Sequence, residues 1–312
     1  MKPKRVFILG LQRSGTTWLA NMLAALPQVA AVAHESHRGV HESVFFSHFA
    51  KGFEPWDDPE QRLRFAASFA ASDYYLLTEM EQEFLEDLER SCSSYGEVFI
   101  ALMDYLAIAE GADAWIEKSP HHTLLDADIL TAAPDARFVM VERNPQDLIR
   151  SRLQGFGRAS PKGLKRQKDI FRGAFTTTLY QRHMRKLAKK ENAILVKYDA
   201  LRTDDDMSVR SKIIAHIGID ADPAEMVSEY SANTSFDKAP RKSWSGLDRF
   251  TLTLGLTIAR ALPLRTLKNM QRRRDEDRGI DFPEWVWTMQ PEAREAIKNA
   301  KNRIVLDEMT DL

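Results

Sequence analysis

One cysteine, Cys92, is all that 312 residues contain, so no internal disulfide can form and the fold must rest on packing and hydrogen bonds. That usage fits a reducing compartment, and a cytoplasmic protein is the expectation. Charge of neither sign dominates: 44 Lys and Arg stand against 45 Asp and Glu, a net charge of −1. A general nucleic-acid binder carries a clear basic excess, so no nucleic-acid partner is expected. Long hydrophobic runs are missing too. The nearest, Phe250 to Leu264, is interrupted by Arg260 and closed by Pro263, short of the roughly 18 or more apolar residues of a spanning helix. A β-type run starts within a few residues of Met1, which leaves no room for the charged and apolar regions of a signal peptide, so none is expected. Internal repeats and low-complexity segments are absent as well.

What remains is an ordinary folded composition, 44% hydrophobic and 29% charged. Val6 to Leu9 is a short apolar run suited to a strand buried on both faces. Trp18, Leu19, Met22, Leu23 and Leu26 then recur at helical spacing until Pro27. Further strands are predicted at Ala114 to Glu117, Arg137 to Val141 and Ala193 to Lys197, and Asn144-Pro145 reads as a helix cap with proline at the first helical position. Residues 41 to 113 read as mostly helical, with the acidic stretch Glu79 to Glu89 forming a solvated face. Strands alternating with helices predict an α/β fold: a mainly parallel central sheet flanked by helices, of the P-loop nucleotide-hydrolase type, with helical insertions. Ligands of such sheets gather beyond the carboxyl ends of the strands.

Between the first strand and first helix lies Gly10-Leu11-Gln12-Arg13-Ser14-Gly15-Thr16-Thr17. It keeps the glycine spacing of a P-loop but has Thr16 where the lysine belongs. Backbone N–H groups from Arg13 to Thr17, at a helix N-terminus, can cup an anion, and the hydroxyls of Ser14, Thr16 and Thr17 add donors. Arg13 adds fixed positive charge. Without the lysine that clamps β and γ phosphates, a nucleoside triphosphate is disfavoured. A second segment, Phe138 to Ser151, runs strand, Arg143, Asn144-Pro145, helix. Arg143 and Ser151 can grip a terminal phosphate.

Taken in order, Gln12 to Leu19 and Phe138 to Ser151 resemble the 5′-phosphosulfate loop and the 3′-phosphate motif of sulfotransferases that use 3′-phosphoadenosine 5′-phosphosulfate (PAPS). The resemblance is closer to the carbohydrate- and protein-modifying types than to the cytosolic phenol type. It implies that Arg13, Ser14, Gly15, Thr16, Thr17 and Trp18 hold the 5′ end of PAPS, that Arg143 and Ser151 hold the 3′-phosphate, and that adenosine 3′,5′-bisphosphate (PAP) is released. Lys118, in Lys118-Ser119-Pro120, resembles the element that faces the sulfonate in the same enzymes. For the base the expectation is Glu35, with His34 as runner-up. Tyr198-Asp199-Ala200-Leu201 resembles the family's Tyr-acid-x-Leu element, and Lys238 to Gly246 is a loose match to its last basic loop.

The organisation implied is one sulfotransferase domain over residues 1–312: a core of about 3–230, an acceptor-side helical insertion at 41–113 and a C-terminal helical extension at 231–312. The acceptor expected is a carbohydrate, a lipid or another small molecule bearing a hydroxyl or amine. The stretch 250–264 beside Arg272, Arg273 and Arg274 leaves peripheral membrane contact open, and the oligomeric state is open. His121 and His122 have no third ligand at a recognisable spacing, so no metal is expected. Two other functions stay in play. Phe138 to Glu142 could be the Walker B strand of a kinase or NTPase, and a nucleotide-binding module without turnover would keep the same loop.

Overall fold

The computed structural model describes residues 2–154, 161–228 and 244–292, apart from the Ser36 side chain. Residues 238–243 of the loosely matching basic loop therefore lie outside the described residues. Among the described residues the seven strands are β1 (Lys4–Leu9), β2 (Val29–Ala30), β3 (Ala33–His34), β4 (Gly39–Val40), β5 (Ala114–Lys118), β6 (Arg137–Glu142) and β7 (Ala193–Lys197). Five of them form one sheet in the order β2-β5-β1-β6-β7, with every pairing parallel. The predicted α/β architecture is the one found. The sequence reading missed β2 and the small antiparallel β3–β4 hairpin, because two-residue strands carry no measurable period.

The helices are α1 (Thr16–Ala24), α2 (Ala50–Gly52), α3 (Pro59–Ala70), α4 (Asp73–Leu76), α5 (Gln82–Ser91), α6 (Tyr95–Ala109), α7 (Asp126–Ala132), α8 (Pro145–Gln154), α9 (Gly163–Leu187), α10 (Tyr198–Arg202), α11 (Ser208–Ile217), α12 (Gly246–Ala261) and α13 (Leu264–Arg278). Alternation along the strands divides them between two layers. Val6 and Ile8 face one side with Leu19 and Leu23 of α1 and Ile213 and Ile217 of α11. Phe7 and Leu9 face the other, with Trp115, Phe138 and the aromatic residues of 45–99. The proline-started α8 is capped as read, Asn144 Oδ1 accepting from the Gln146 N–H at 2.9 Å.

The aromatic stretch from Phe45 to Phe69 is core. Phe45 is fully buried and meets the rings of Phe46, Phe49, Phe65, Phe69 and Phe99 at 4.6–6.4 Å. Aromatic clusters of this kind bury large apolar areas and prefer these tilted and edge contacts. The acidic face of α5 is solvated as expected, with Leu85 as its one buried residue.

On the far side α12 packs along α9 so closely that a Cβ on Gly255 would come within 2.9 Å of the Ala174 Cβ. The opposite face of α12 leaves Leu247, Phe250, Leu254 and Ile258 exposed. Among the described residues no helix is long and apolar enough to cross a membrane.

Two measurements follow from this packing. Phe45→Ala empties the centre of the aromatic cluster and is expected to cost about 3–5 kcal/mol in denaturant unfolding; a loss under about 1 kcal/mol would show that the cluster is not organised around this ring. His48, partly buried against His121 and Phe282, is depressed to about 3, first by burial and then by the neighbouring His121 and His122. The unfolded chain takes up that proton below about pH 6.5 while the native state does not, so stability falls as pH drops from 6.5 towards 3. Between pH 7 and pH 5, His48→Gln should lose about 1–2 kcal/mol less than the parent chain, and identical losses in the two would rule the histidine out.

Candidate active site

All the sequence-predicted phosphate-binding residues come together beyond the carboxyl ends of β1, β6 and β7. Gly10 ends β1 in a tight turn, where a Cβ would lie 2.6 Å from Ser14 Oγ and 3.0 Å from the Val141 carbonyl. Its N–H donates to Thr123 Oγ1 at 2.9 Å, which ties the loop to the turn after β5. Gly15 has φ 103° and caps α1. A Cβ there would also strike the Tyr198 ring at 2.4 Å, so glycine is required twice over, by conformation and by space. The cap makes no side-chain hydrogen bond to the helix, which leaves the first N–H groups of α1 to point outward. One expected donor is spoken for, since the Ser14 N–H closes a turn on the Leu11 carbonyl at 2.9 Å. Ser14 Oγ and Thr16 are buried in the loop, and Ser14 Oγ has no hydrogen-bond partner among the described residues.

Arg13 stands at φ 74°, and its Nε donates to Ser151 Oγ at 3.2 Å. Arg143 Nη1 donates to the Arg13 carbonyl at 3.0 Å, and its guanidinium lies over the Tyr198 ring at 4.4 Å. Trp18 meets the same ring edge-on at 5.8 Å. The Arg143 carbonyl is in turn held by Gln181 Nε2 at 2.9 Å. Arg13 is pushed below the usual arginine range, first by burial and then by the charges of Arg143 and Arg38. Arg13 and Arg143 bring two guanidiniums to one loop, with the charge of Arg38 also acting on Arg13, an arrangement that suits a multiply charged anion. Tyr198 matters more than its sequence match suggested, because it wedges Gly15, Trp18 and Arg143 into register.

Lys118 closes the site from β5. It is only 2% exposed, and its Nζ lies 2.8 Å from Glu42 Oε1. Glu42 Oε2 is 4.0 Å from His121 Nδ1, and His121 Nε2 meets Gln12 Nε2 at 3.2 Å. His121 thus stands between the loop, which it reaches through Gln12, and the Glu42–Lys118 pair, from which its Nδ1 is separated by more than a hydrogen-bond length. Neither Glu42 nor Thr123 was singled out in the sequence. Glu42 had no signal because its partner lies 76 residues away.

Behind Lys118 the fully buried Glu117 accepts hydrogen bonds from Ser119 Oγ at 2.5 Å and Ser43 Oγ at 2.7 Å, and lies 2.9 Å from His122 Nδ1. The Phe46 N–H donates to His122 Nε2 at 3.1 Å, so the proton of this imidazole sits on Nδ1 and points at Glu117. Burial alone would raise Glu117; His122 and the serine hydroxyls outweigh it and hold the group below the usual carboxylate range.

Glu35 and His34 are placed differently. Both are exposed, His34 at the end of β3 and Glu35 in the 3₁₀ turn Glu35–His37. No hydrogen bond or ion pair of the Glu35 carboxylate occurs among the described residues. The hairpin does touch the loop region: Asn21 of α1 accepts from the Val40 N–H at 2.8 Å and donates to the Arg38 carbonyl at 2.9 Å. Glu142, the acid of the Walker B alternative, is paired with Arg185.

Solved structures similar to the chain include the sulfotransferase domain of the Synechococcus PCC 7002 olefin synthase, at 18% identity over 84% of this chain and 98% of that one, with a TM-score of 0.48. Others are the sulfotransferase domain of the curacin biosynthetic pathway, at 15% identity over 97% and 99% with a TM-score of 0.44, and mouse sulfotransferase SULT7A1 complexed with PAP, at 11% over 86% and 89% with a TM-score of 0.47. No curated protein sequence matches the chain. Residues 3–223, which carry the loop, Lys118, Arg143, Ser151 and Tyr198, match the sulfotransferase family as a whole, and the chain belongs to that family of enzymes.

Proposed function

We propose that the chain moves a sulfuryl group from PAPS to a hydroxyl or amine of a carbohydrate, lipid or other small molecule. The observation that carries this reading is the meeting of Arg13, Arg143 and Ser151 on one glycine loop, Arg13 donating to Ser151 and Arg143 to the Arg13 carbonyl. The residues present fit a nucleotide with separate 5′ and 3′ anions. Arg13, the α1 N-terminus and the unpartnered Ser14 Oγ supply donors at one end, and Arg143 with Ser151 supplies them at the other. Gly10 and Gly15 let the loop turn tightly against Val141 and Tyr198, where a Cβ would clash. Bound there, PAPS supplies the sulfuryl group for in-line displacement.

The chain's own groups divide the remaining work. Lys118, buried at the mouth of the loop, offers a positive charge to oxygens that gain negative charge during transfer. Glu42 is the proton acceptor for the attacking hydroxyl. It is partly exposed, sits against Lys118, and lies 4.0 Å from His121, whose other ring nitrogen meets Gln12 of the loop. A carboxylate so placed can release Lys118 to the donor when both substrates bind and turn to the acceptor. Glu35, with His34, is the other candidate for this proton, exposed in the hairpin that also carries Arg38. The kinase reading is less well supported, because Glu142 is engaged by Arg185 and Thr16 stands in the lysine position.

Calorimetry with PAP and no metal is expected to show tight binding to the parent chain. Arg143→Ala, which removes a charge-assisted grip of about 1.5–3 kcal/mol, should raise the Kd by roughly 10–100-fold. Tight MgATP binding with no response to PAP would sink the nucleotide assignment. Glu42→Gln should leave PAP affinity in place and lower sulfate transfer from labelled PAPS by about 100-fold or more, the scale of a lost general base. Full transfer by Glu42→Gln, with loss in Glu35→Gln, would return the role to Glu35. A screen of oligosaccharide, glycolipid, phenol and peptide acceptors completes the test.

A further inference from the structure

His37 and His41 flank β4, and Asp73 opens α4. Their potential ligand atoms all lie within 4.8 Å of one another. His37 Nε2 is 3.2 Å from Asp73 Oδ2, and the two imidazole rings are 3.8 Å apart with planes 35° from parallel. His41 is only 4% exposed and Asp73 not at all. Even so, His41 Nε2 has no hydrogen-bond partner among the described residues, and Asp73 Oδ2 has no directed hydrogen bond beyond its ion-pair contact with His37. Buried polar atoms left unpaired are costly, and each one in a native fold calls for a reason. An ion pair of His37 with Asp73 accounts for two of the three groups and leaves His41 unexplained.

We propose that His37, His41 and Asp73 form a metal site that takes a divalent transition-metal ion, with zinc as its natural occupant. Two imidazoles and one carboxylate are a donor set suited to zinc, whereas calcium and magnesium take all-oxygen sets. Zinc bonds of about 2.0–2.2 Å in a tetrahedron place neighbouring ligand atoms about 3.3 Å apart, which the His37–Asp73 separation already matches. His41 completes the site by swinging inward, and the stacked rings spread as it does so. The surroundings suit a fixed ion. Asp73 Oδ1 accepts from the Met289 N–H at 2.9 Å, the outer-shell bond that orients a ligating carboxylate. Tyr74 and Trp285 wall the His41 ring at 6.2 and 5.3 Å.

The consequence is mechanical. A metal here clips the β3–β4 hairpin to α4 and, through Asp73, to the segment ending at Met289. The backbone of Glu42 is fixed directly beside it. The site stands whether or not Glu42 proves to be the base.

Untagged protein should purify with about one zinc per chain, and apo-protein made with a chelator should take up one Co²⁺ with the visible d–d band of a tetrahedral ion. His41→Ala and Asp73→Asn are each expected to weaken that binding by about 100-fold or more, beyond what loss of an outer-shell partner does. Asp73→Asn keeps an oxygen for the Met289 N–H. His37→Gln changes the least enclosed ligand, so a folding defect in the other two leaves the question answerable. Zinc should raise the melting temperature of the parent chain and leave that of Asp73→Asn unmoved. Apo-protein that binds neither Zn²⁺ nor Co²⁺ at micromolar concentration would overturn the site. So would binding that survives all three substitutions, or binding that disappears in His121→Ala instead.

Discussion

A single buried carboxylate sets the geometry around which the catalytic half of the molecule is arranged. Glu117, one residue before the end of β5, has a side chain with no solvent contact, and a charge so placed is tolerated only when its lone pairs are fully taken up. Ser43, Ser119 and His122 take them up, and each also grips backbone. Ser119 Oγ accepts from the Val44 N–H at 3.0 Å, Ser43 Oγ from the Phe45 N–H at 3.2 Å, and His122 Nε2 from the Phe46 N–H. Three successive amides are thereby fastened to the end of one strand. Val44 is forced to φ 43° in the process, a left-handed conformation that costs a β-branched residue about 1–2 kcal/mol. The network holds it there, and Glu42 emerges on one side facing Lys118 while Phe45 enters the aromatic core on the other.

The phosphate loop obeys the opposite electrostatic logic. Glu117 is satisfied by donors drawn in from all sides; Arg13 is acted on by the like charges of Arg143 and Arg38. Such repulsion would scatter flexible side chains. Here Ser151 holds Arg13, the Tyr198 ring and the Arg13 carbonyl hold Arg143, and the Arg38 carbonyl is hydrogen-bonded to Asn21. The positive potential is built in during folding, and an incoming anion meets groups that need little rearrangement.

The donor side of this site could be read along the chain and the acceptor side could not, for a physical reason. Gly10, Arg13, Gly15 and Thr16 fall within one strand-loop-helix unit, and Arg143 with Ser151 falls within another, so local spacing encodes both. The parallel sheet then brings them together by pairing β1 with β6. Lys118 was legible as a strand-end lysine next to Ser119-Pro120. Its partner Glu42 was not, because the pairing is made by the Glu117 network, and the aromatic residues at 45–69 carry a pattern that fits a core as well as a cleft. The His37, His41 and Asp73 cluster is invisible for the same reason: the histidines flank a two-residue strand, and the carboxylate arrives from a helix more than thirty residues on.

The β3–β4 hairpin is where these separate constraints meet. Its Arg38 lies near Arg13, its Val40 and Arg38 backbone is tied to Asn21 of α1, and its outgoing strand leads through His41 to Glu42. Gly39 sits at φ 98° at the turn, where a Cβ would lie 2.2 Å from Asn21 Oδ1. The hairpin is therefore registered against α1, whose N-terminus carries the glycine loop proposed to hold the donor. The residues that follow are registered against β5, whose end carries Lys118. A shift of the hairpin would move Arg38 and the carboxylate of Glu42, the proton acceptor we propose, together. Coupling of that kind needs no signal passed through the protein, because one short element carries both groups and the sheet fixes the surfaces it is held between.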